Sequence, residues 1–231
     1  MAICQNVQAL LPGHFQDIAK MSPLTAAEIK LRLMAWLLPQ LSFDDVLASE
    51  LSFLEGKRRA DLAVVSPHGH LTAYEIKGPR DNLGKLGVQL KDYSSMFLET
   101  YVVAADRHMS AIRATVPGSV GLISVDEGGT IIQRSAIGRR SLRKDAALQW
   151  MTSKDLIFAL RESGVRASQH MPKEHLLQLA KRVRSEKLNA LAISAIHKRS
   201  APRYERFVRE LGMTPTLDDL RMLTIEQSVR P

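Results

Sequence analysis

Residues 59–77 read RADLAVVSPHGHLTAYEIK, which is two short apolar runs separated by a turn. The runs at 59–66 and 71–77 are rich in apolar and β-branched residues, which favours strands. Pro67 and Gly69 lie between them and favour a turn. This stretch therefore predicts a β-hairpin, and the rest of the fold is built around it.

Charged side chains occupy positions on this hairpin that would otherwise be apolar. Glu75 and Lys77 are two residues apart on one strand and so project from one face, whereas Tyr74 and Ile76 project from the other. Buried charges are costly unless they are paired with each other or with a metal. Asp61, on the partner strand, can meet Glu75 and form a carboxylate pair suited to a hard cation such as Mg²⁺. Lys77 would then orient or deprotonate a water molecule, or neutralise charge on a phosphate.

The sequence around the hairpin predicts an α/β fold. A helix is expected over residues 24–38, because Thr25 and Glu28 have capping-box spacing and Pro39 ends the pattern. Apolar patterning predicts strands at 46–53, 101–105, 120–125 and 130–134, and helices at 81–97 and 109–114. The expected fold class is a mixed central β-sheet flanked by helices, with a crossover helix between the third and fourth strands.

Beyond Arg134 the strand signals stop. Amphipathic patterning predicts basic helices at 155–163, 173–184, 186–198 and 202–211, and Trp150 is expected to anchor their core. Gly138 opens a short linker-like segment. We therefore expect an α/β domain over residues 1–137 and a basic helical domain over residues 138–231.

The net charge of +8 is unevenly distributed along the chain. Residues 1–133 carry 12 basic and 14 acidic side chains, residues 134–210 carry 18 and 7, and residues 211–231 carry 2 and 3. A contiguous block of +11 is expected to attract a polyanion, and nucleic acid is the common one. No apolar run approaches the roughly 20 residues of a membrane span. A single cysteine, Cys4, excludes a disulfide framework, and residues 1–11 lack signal-peptide features, so a cytoplasmic location is expected.

Asp61 and the Glu75-Ile76-Lys77 triplet, in this order of elements, resemble the PD-(D/E)XK nuclease superfamily and, more narrowly, a group of uncharacterised bacterial members. The resemblance covers roughly residues 24–125, with Ala60 standing where the superfamily's name has proline. It implies a restriction-endonuclease-like core and hydrolysis of phosphodiester bonds in nucleic acid, most simply DNA, with Mg²⁺ or Mn²⁺. The implied metal ligands are Asp61, Glu75 and the carbonyl of Ile76, assisted by Glu50, which lies ahead of the hairpin.

Gln89 and Tyr93 are similar to the Gln-x-x-x-Tyr element of RecB-like nucleases, which implies that they position the site and the strand. The implied catalytic set is thus Glu50, Asp61, Glu75, Lys77, Gln89 and Tyr93. Glu55 is an alternative to Glu50, although Glu55-Gly56 is typical of a turn. His68 and His70 have the spacing of metal ligands, but a hairpin loop explains them better.

Basic residues beside the site and in the +11 block are candidates for phosphate contacts: Arg58, Arg59, Arg80, Lys85, Arg139, Arg140, Arg143, Lys181, Arg182 and Arg184. Two other classes of function stay open. One is a nucleic-acid-binding or adaptor protein that keeps the nuclease fold without cleaving, and the other is a protein–protein module whose basic helices meet an acidic partner. DNA and RNA are not distinguished, nor are endonuclease and exonuclease, and a homodimer stays open because relatives within the resembled superfamily include dimers.

Overall fold

A computed structural model of the protein describes residues 24–224. At its centre lies a six-stranded sheet whose strand order follows the chain. The first three strands and the last two are paired antiparallel, whereas the third, fourth and fifth run parallel. The strands are β1 (Val46–Phe53), β2 (Arg58–Ser66), β3 (His70–Lys77), β4 (Glu99–Ala104), β5 (Gly121–Asp126) and β6 (Gly129–Arg134). The predicted hairpin is β2–β3, and the predicted α/β class with a mixed sheet is confirmed.

Helices cover both faces of the sheet. They are α1 (Ala26–Leu37), α2 (Leu86–Met96), α3 (Met109–Thr115), α4 (Lys144–Trp150), α5 (Ser153–Arg161), α6 (Lys173–Ala180), α7 (Ser185–Glu210) and α8 (Leu217–Met222). The first helix, predicted over residues 24–38, begins at Ala26 and has the predicted capping box: the Thr25 hydroxyl accepts from the Glu28 amide, and Glu28 accepts from the Thr25 amide. None of the helices in residues 24–224 is long and apolar enough to cross a membrane.

Two large hydrophobic cores lie on opposite faces of the sheet. The α1-side core joins α1 to β2, β3 and β4 through residues such as Leu33, Leu62 and Val103. The α2-side core joins the other face to α2 and to α4–α7. Trp150 has the predicted anchoring role there, because it is buried and its indole Nε1 donates to the carbonyl of Met96 at 2.8 Å. The α2-side core therefore contains residues from both predicted domains.

The two helices predicted at 186–198 and 202–211 are a single helix, α7, with Pro202 inside it. A proline normally breaks a helix, because it removes one hydrogen bond and its ring crowds the preceding turn. Here Pro202 is exposed, so water can reach the carbonyl that loses its partner. Buried residues hold both halves of the helix, with Ile196 in the α2-side core and Phe207 in the α1-side core. The packing of both halves of α7 thus outweighs the free-energy cost of a proline inside the helix.

Other boundaries differ for local reasons. The helix predicted from residue 81 begins at Leu86, because the side chains of Asp81 and Asn82 accept from the amides of Gly78 and Gly84 and form turns instead. The helix predicted over 173–184 ends at Ala180. Helices α4 and α8 were not predicted.

The outer edge of β1 is covered by the last described residues. The Ser49 amide donates to the carbonyl of Leu223 at 3.1 Å, and Ser49 forms a parallel bridge with Thr224. The guanidinium of Arg203, on α7, donates to the Thr224 carbonyl. Cys4 and residues 1–11, on which part of the prediction of location depended, lie outside the described residues.

Candidate active site

The sheet divides at Asp61. Pairing between β2 and β3 ends with Leu62 opposite Tyr74. At the next position the Asp61 side chain replaces the main-chain pairing, because its Oδ2 accepts from the main-chain amide of Ile76 at 2.7 Å. A side chain thus satisfies an amide that a neighbouring strand would otherwise bind. The β1–β2 hairpin is free to leave the sheet at this point, and a carboxylate is held beside β3.

Glu50 lies opposite Asp61 at the same division. The flanking pairs Ser49–Leu62 and Leu51–Ala60 fix this register. Glu50 has a φ of 52°, a left-handed conformation that costs a non-glycine residue roughly 1–2 kcal/mol. Side chains three positions apart on a regular strand point to opposite faces. Ala60 and Ala63 nevertheless both pack in the α2-side core, so the alternation is interrupted between them. The hairpin therefore twists at the Glu50–Asp61 pair.

Glu75 and Lys77 project from the α2 face of β3, as predicted, and each contacts α2. Lys77 Nζ donates to Glu75 Oε1 at 2.7 Å and to Gln89 Oε1 at 3.0 Å. The Tyr93 hydroxyl donates to Glu75 Oε2 and lies 2.8 Å from the carbonyl oxygen of Arg59. Glu75 and Lys77 are only 5% and 7% exposed. Of the predicted Gln-x-x-x-Tyr pair, Gln89 thus binds Lys77 and Tyr93 binds Glu75.

Lys30, on α1, belongs to the same cluster and was not predicted from the sequence. Its Nζ lies 2.6 Å from Glu50 Oε1, and its side chain is only 14% exposed. Arg59 approaches the other oxygen of Glu50 at 3.8 Å. The missed signal was helical periodicity, because Lys30 precedes buried Met34 by four residues and so lies on the buried stripe of α1.

Burial and neighbouring charge act strongly on Asp61. Burial raises the pKa of Asp61 to about 7, and the negative charge of Glu75 adds to the rise. The hydrogen bond from the Ile76 amide and the charge of Lys30 lower this pKa in part, and the charge of Glu50 raises it slightly. Burial, followed by the charge of Glu75, also raises the pKa of Tyr93 well above its ordinary value, so its hydroxyl keeps its proton. The site therefore holds more negative charge than its own lysines compensate.

This donor set suits a divalent cation in its chemistry. Carboxylate oxygens are the usual protein ligands of Mg²⁺ and Mn²⁺. The pKa of Asp61 is raised first by burial and then by the negative charge of Glu75, and a bound cation would offset both. Within residues 24–224 no three His, Cys, Asp or Glu side chains converge as a metal site. Asp61 and Glu75 would be the protein carboxylates in contact with the ion, while Glu50 is turned towards Lys30.

The alternative residues lie away from this cluster. Glu55 is exposed in the β1–β2 turn, 3.7 Å from Lys173. His68 and His70 lie at the β2–β3 turn, and His68 Nε2 is 3.4 Å from an oxygen of Asp44. Glu50 is thus the acidic residue that the structure places beside Asp61.

The predicted phosphate-contact residues fall into two sets. Four lie next to the site in sequence: Arg58 and Arg59 precede Asp61, and Arg80 and Lys85 are exposed on the segment after Lys77. Arg58 is also bound by Asp92, at 2.6 Å. The second set lies on the segment before α4 and between α6 and α7, where Arg140, Arg143, Lys181, Arg182 and Arg184 are exposed. Arg139 differs from them, because its guanidinium donates to the carbonyl of Phe97 at 2.6 Å and supports the fold.

Fold and site together define an α/β protein with a buried cluster of carboxylates and lysines at the division of its central sheet. The chain belongs to the family described as Bacteriophage P4 protein cII, whose model matches residues 20–224. Protein cII of Enterobacteria phage P4 is 27% identical over an alignment of 209 positions, which covers 87% of this chain and 78% of that protein. A solved structure of a protein of unknown function from Silicibacter pomeroyi is 16% identical and covers 64% of this chain and 99% of its own, with a TM-score of 0.43. That likeness is too distant to assign the fold.

Proposed function

We propose that this protein is a metal-dependent nuclease with a restriction-endonuclease-like core that hydrolyses phosphodiester bonds in DNA. One observation carries the proposal. Asp61, Glu75 and Lys77, predicted from sequence as one site, lie together where the sheet divides, and Gln89 and Tyr93 bind two of them. Glu75 and Lys77 are buried and Asp61 is partly buried. Removing charged groups from water destabilises the fold, and charged groups held in this way are typical of functional sites.

Each side chain has a task in this proposal. Asp61 and Glu75 would hold Mg²⁺ or Mn²⁺, with the Ile76 carbonyl as a further oxygen. When bound, the ion would stabilise negative charge on the phosphate and lower the pKa of a water molecule. Lys77 holds its ammonium 2.7 Å from Glu75, where it can orient that water or neutralise phosphate charge. Gln89 and Tyr93 keep Lys77 and Glu75 in these positions.

The charges of the cluster fit a phosphodiester. Lys30, Lys77 and Arg59 contribute three positive charges, and Glu50, Asp61 and Glu75 contribute three negative charges when all are ionised. The sum is zero, and a divalent cation changes it to +2. A phosphodiester carries a single negative charge, so the loaded site would attract it. Arg59, Arg80 and Lys85, near the site in sequence and exposed, would attract the flanking phosphates.

A second candidate is a nucleic-acid-binding or adaptor protein that retains this fold without cleaving. The observation that favours it is that both carboxylate oxygens of Glu75 already accept hydrogen bonds, one from Lys77 and one from Tyr93. A cation would have to compete with these partners.

Metal-dependent cleavage separates the two candidates. The full chain is incubated with supercoiled plasmid, linear duplex DNA, single-stranded DNA and RNA, each with Mg²⁺, Mn²⁺ or EDTA. Asp61→Asn and Glu75→Gln are purified in parallel, together with Glu127→Gln, which makes the same change of charge at an exposed turn. We expect cleavage of DNA that requires the metal, is reduced by about 100-fold or more in the two site variants, and is unchanged in Glu127→Gln.

Three results would overturn the nuclease proposal: no cleavage of any substrate with either metal, cleavage that persists in EDTA, or equal cleavage by both site variants. Salt-sensitive binding to DNA without cleavage would support the second candidate.

A further inference from the structure

A cavity lies on the α1 face of the sheet, where α1 ends. It has a volume of about 280 Å³, close to the lower limit of the roughly 300–1,000 Å³ of small-molecule sites. Trp36, Tyr74 and Tyr101 line it, together with aliphatic residues of the α1-side core. Glu75 and Lys77 project from the opposite face of β3, so this cavity is separate from the candidate active site.

Negative charge is concentrated in this cavity although the chain is basic. Asp45 and Glu99 line it, and neither has an ion-pair partner among residues 24–224. The lining contains no lysine and no arginine, and its one histidine, His70, is exposed. The carboxyl end of α1 also lies here, carries the negative end of the helix dipole, and has no basic residue in its last turn.

The hydroxyl of Tyr74 lacks a hydrogen-bond partner among the described residues. Tyr74 is only 7% exposed, yet its hydroxyl forms no hydrogen bond within residues 24–224. In the same residues, no side-chain oxygen or nitrogen is both sealed from solvent and without a hydrogen bond. The Tyr74 hydroxyl must therefore face open space, and the space that Tyr74 lines is this cavity. The neighbouring Glu99 is held in place by the Thr72 hydroxyl, which donates to its Oε2 at 3.3 Å.

We propose that this cavity binds a small organic cation, an ammonium or guanidinium group on a short apolar stem. Its N–H groups would donate to the carboxylate of Glu99 and to the hydroxyl oxygen of Tyr74. The stem would pack on the rings of Trp36 and Tyr101, both partly exposed, where a cation is also attracted by the aromatic faces. The ring of Tyr101 stacks on that of Tyr74, with 5.5 Å between the ring centroids.

The test is a titration of the full chain with three probes of similar size: n-butylammonium, the neutral n-pentanol and the anionic pentanoate. Binding is followed by ¹H–¹⁵N chemical shifts. We expect n-butylammonium to bind with the shifts centred on Trp36, Thr72 and Tyr101, n-pentanol to bind about tenfold more weakly, and pentanoate not to bind. Glu99→Gln should weaken n-butylammonium binding about tenfold, which is the usual strength of a charge-assisted hydrogen bond, and Tyr74→Phe should weaken it severalfold.

Glu186→Gln is the matched control, because it makes the same change of charge at the exposed start of α7 and should bind like the unchanged chain. Equal affinity for the alcohol and the ammonium, absence of binding at 100 mM n-butylammonium (a limit of roughly 1.4 kcal/mol of affinity), or unchanged affinity in a folded Glu99→Gln would each overturn the proposal. If Glu99→Gln does not fold, the comparison of the three probes and the Tyr74→Phe variant decide.

Discussion

Replacing Asp61 by asparagine should make the metal-free protein more stable at pH 8, although it removes a residue of the candidate active site. The carboxylate of Asp61 has a pKa of about 7 in the folded chain against 3.8 as its ordinary value. Between pH 3.8 and about pH 7 the folded chain binds more protons than the unfolded chain. The free energy of unfolding therefore falls as the pH rises from about 4 to about 7, and it stays low above that range. Each unit of pKa shift corresponds to about 1.4 kcal/mol, so the ionised carboxylate costs up to about 4 kcal/mol at pH 8.

The asparagine of the Asp61→Asn variant would keep an oxygen for the Ile76 amide and carry no charge. Its added amide group needs a partner of its own, and an unmet donor costs about 1–3 kcal/mol. The expected net gain at pH 8 is therefore about 1–3 kcal/mol. For a chain of this length, 1 kcal/mol changes the melting temperature by about 2–4 °C, so a rise of about 2–12 °C is expected.

The assay is thermal unfolding in EDTA at pH 4 and pH 8, followed by circular dichroism, for the unchanged chain, Asp61→Asn and the exposed-site control Asp106→Asn. At pH 4 the Asp61 carboxyl is already protonated, so Asp61→Asn should show no gain there. A variant that is less stable than the unchanged chain by the same amount at both pH values would show that the ionised carboxylate is not destabilised by its surroundings.

Two further substitutions test the lysines of the cluster. Lys77→Met keeps the aliphatic stem and removes the ammonium beside Glu75, so we expect cleavage to be lost, DNA binding by fluorescence anisotropy to persist, and the free energy of unfolding in EDTA to fall by about 3–5 kcal/mol. Cleavage at the unchanged rate would remove Lys77 from the mechanism. Lys30→Met removes a positive charge that lowers the pKa of Asp61, so an NMR titration of the Asp61 carboxyl should show its pKa rising further. An unchanged or lower pKa would mean that Lys30 acts on Glu50 alone.

The fold was predictable where one pattern determined one element. Strand β1 has the predicted bounds, and the hairpin differs from its prediction by one residue at the start of each strand. Capping boxes mark the starts of several helices. Thr25 and Glu28 form one at the start of α1, and Thr152 and Asp155 form one at the start of α5, which begins at Ser153, two residues before the predicted start. A third capping box, at Thr216 and Asp219, marks α8, which was not predicted.

The sequence predicted which residues form the site but not how they are arranged in space. Strand alternation placed Glu75 and Lys77 on one face, and the spacing of Gln89 and Tyr93 placed both on one face of a helix. The left-handed conformation of Glu50 could not be predicted, because it depends on how the hairpin twists against the helices on both faces. Helix α7 shows the same limit, since burial at residues far apart in sequence, and not the local effect of a proline, determines its length.

The bridge between Ser49 and Thr224 has a consequence for synthesis of the chain. Strand β1 emerges from the ribosome early, whereas the residues that cover its outer edge emerge 175 positions later, from 49 to 224. At about 5–20 residues per second this interval is roughly 10–35 s. During that time the edge offers unpaired main-chain groups to any neighbouring strand, including the same strand of another nascent chain on the same message. Yield of folded protein should thus depend on how closely ribosomes follow one another.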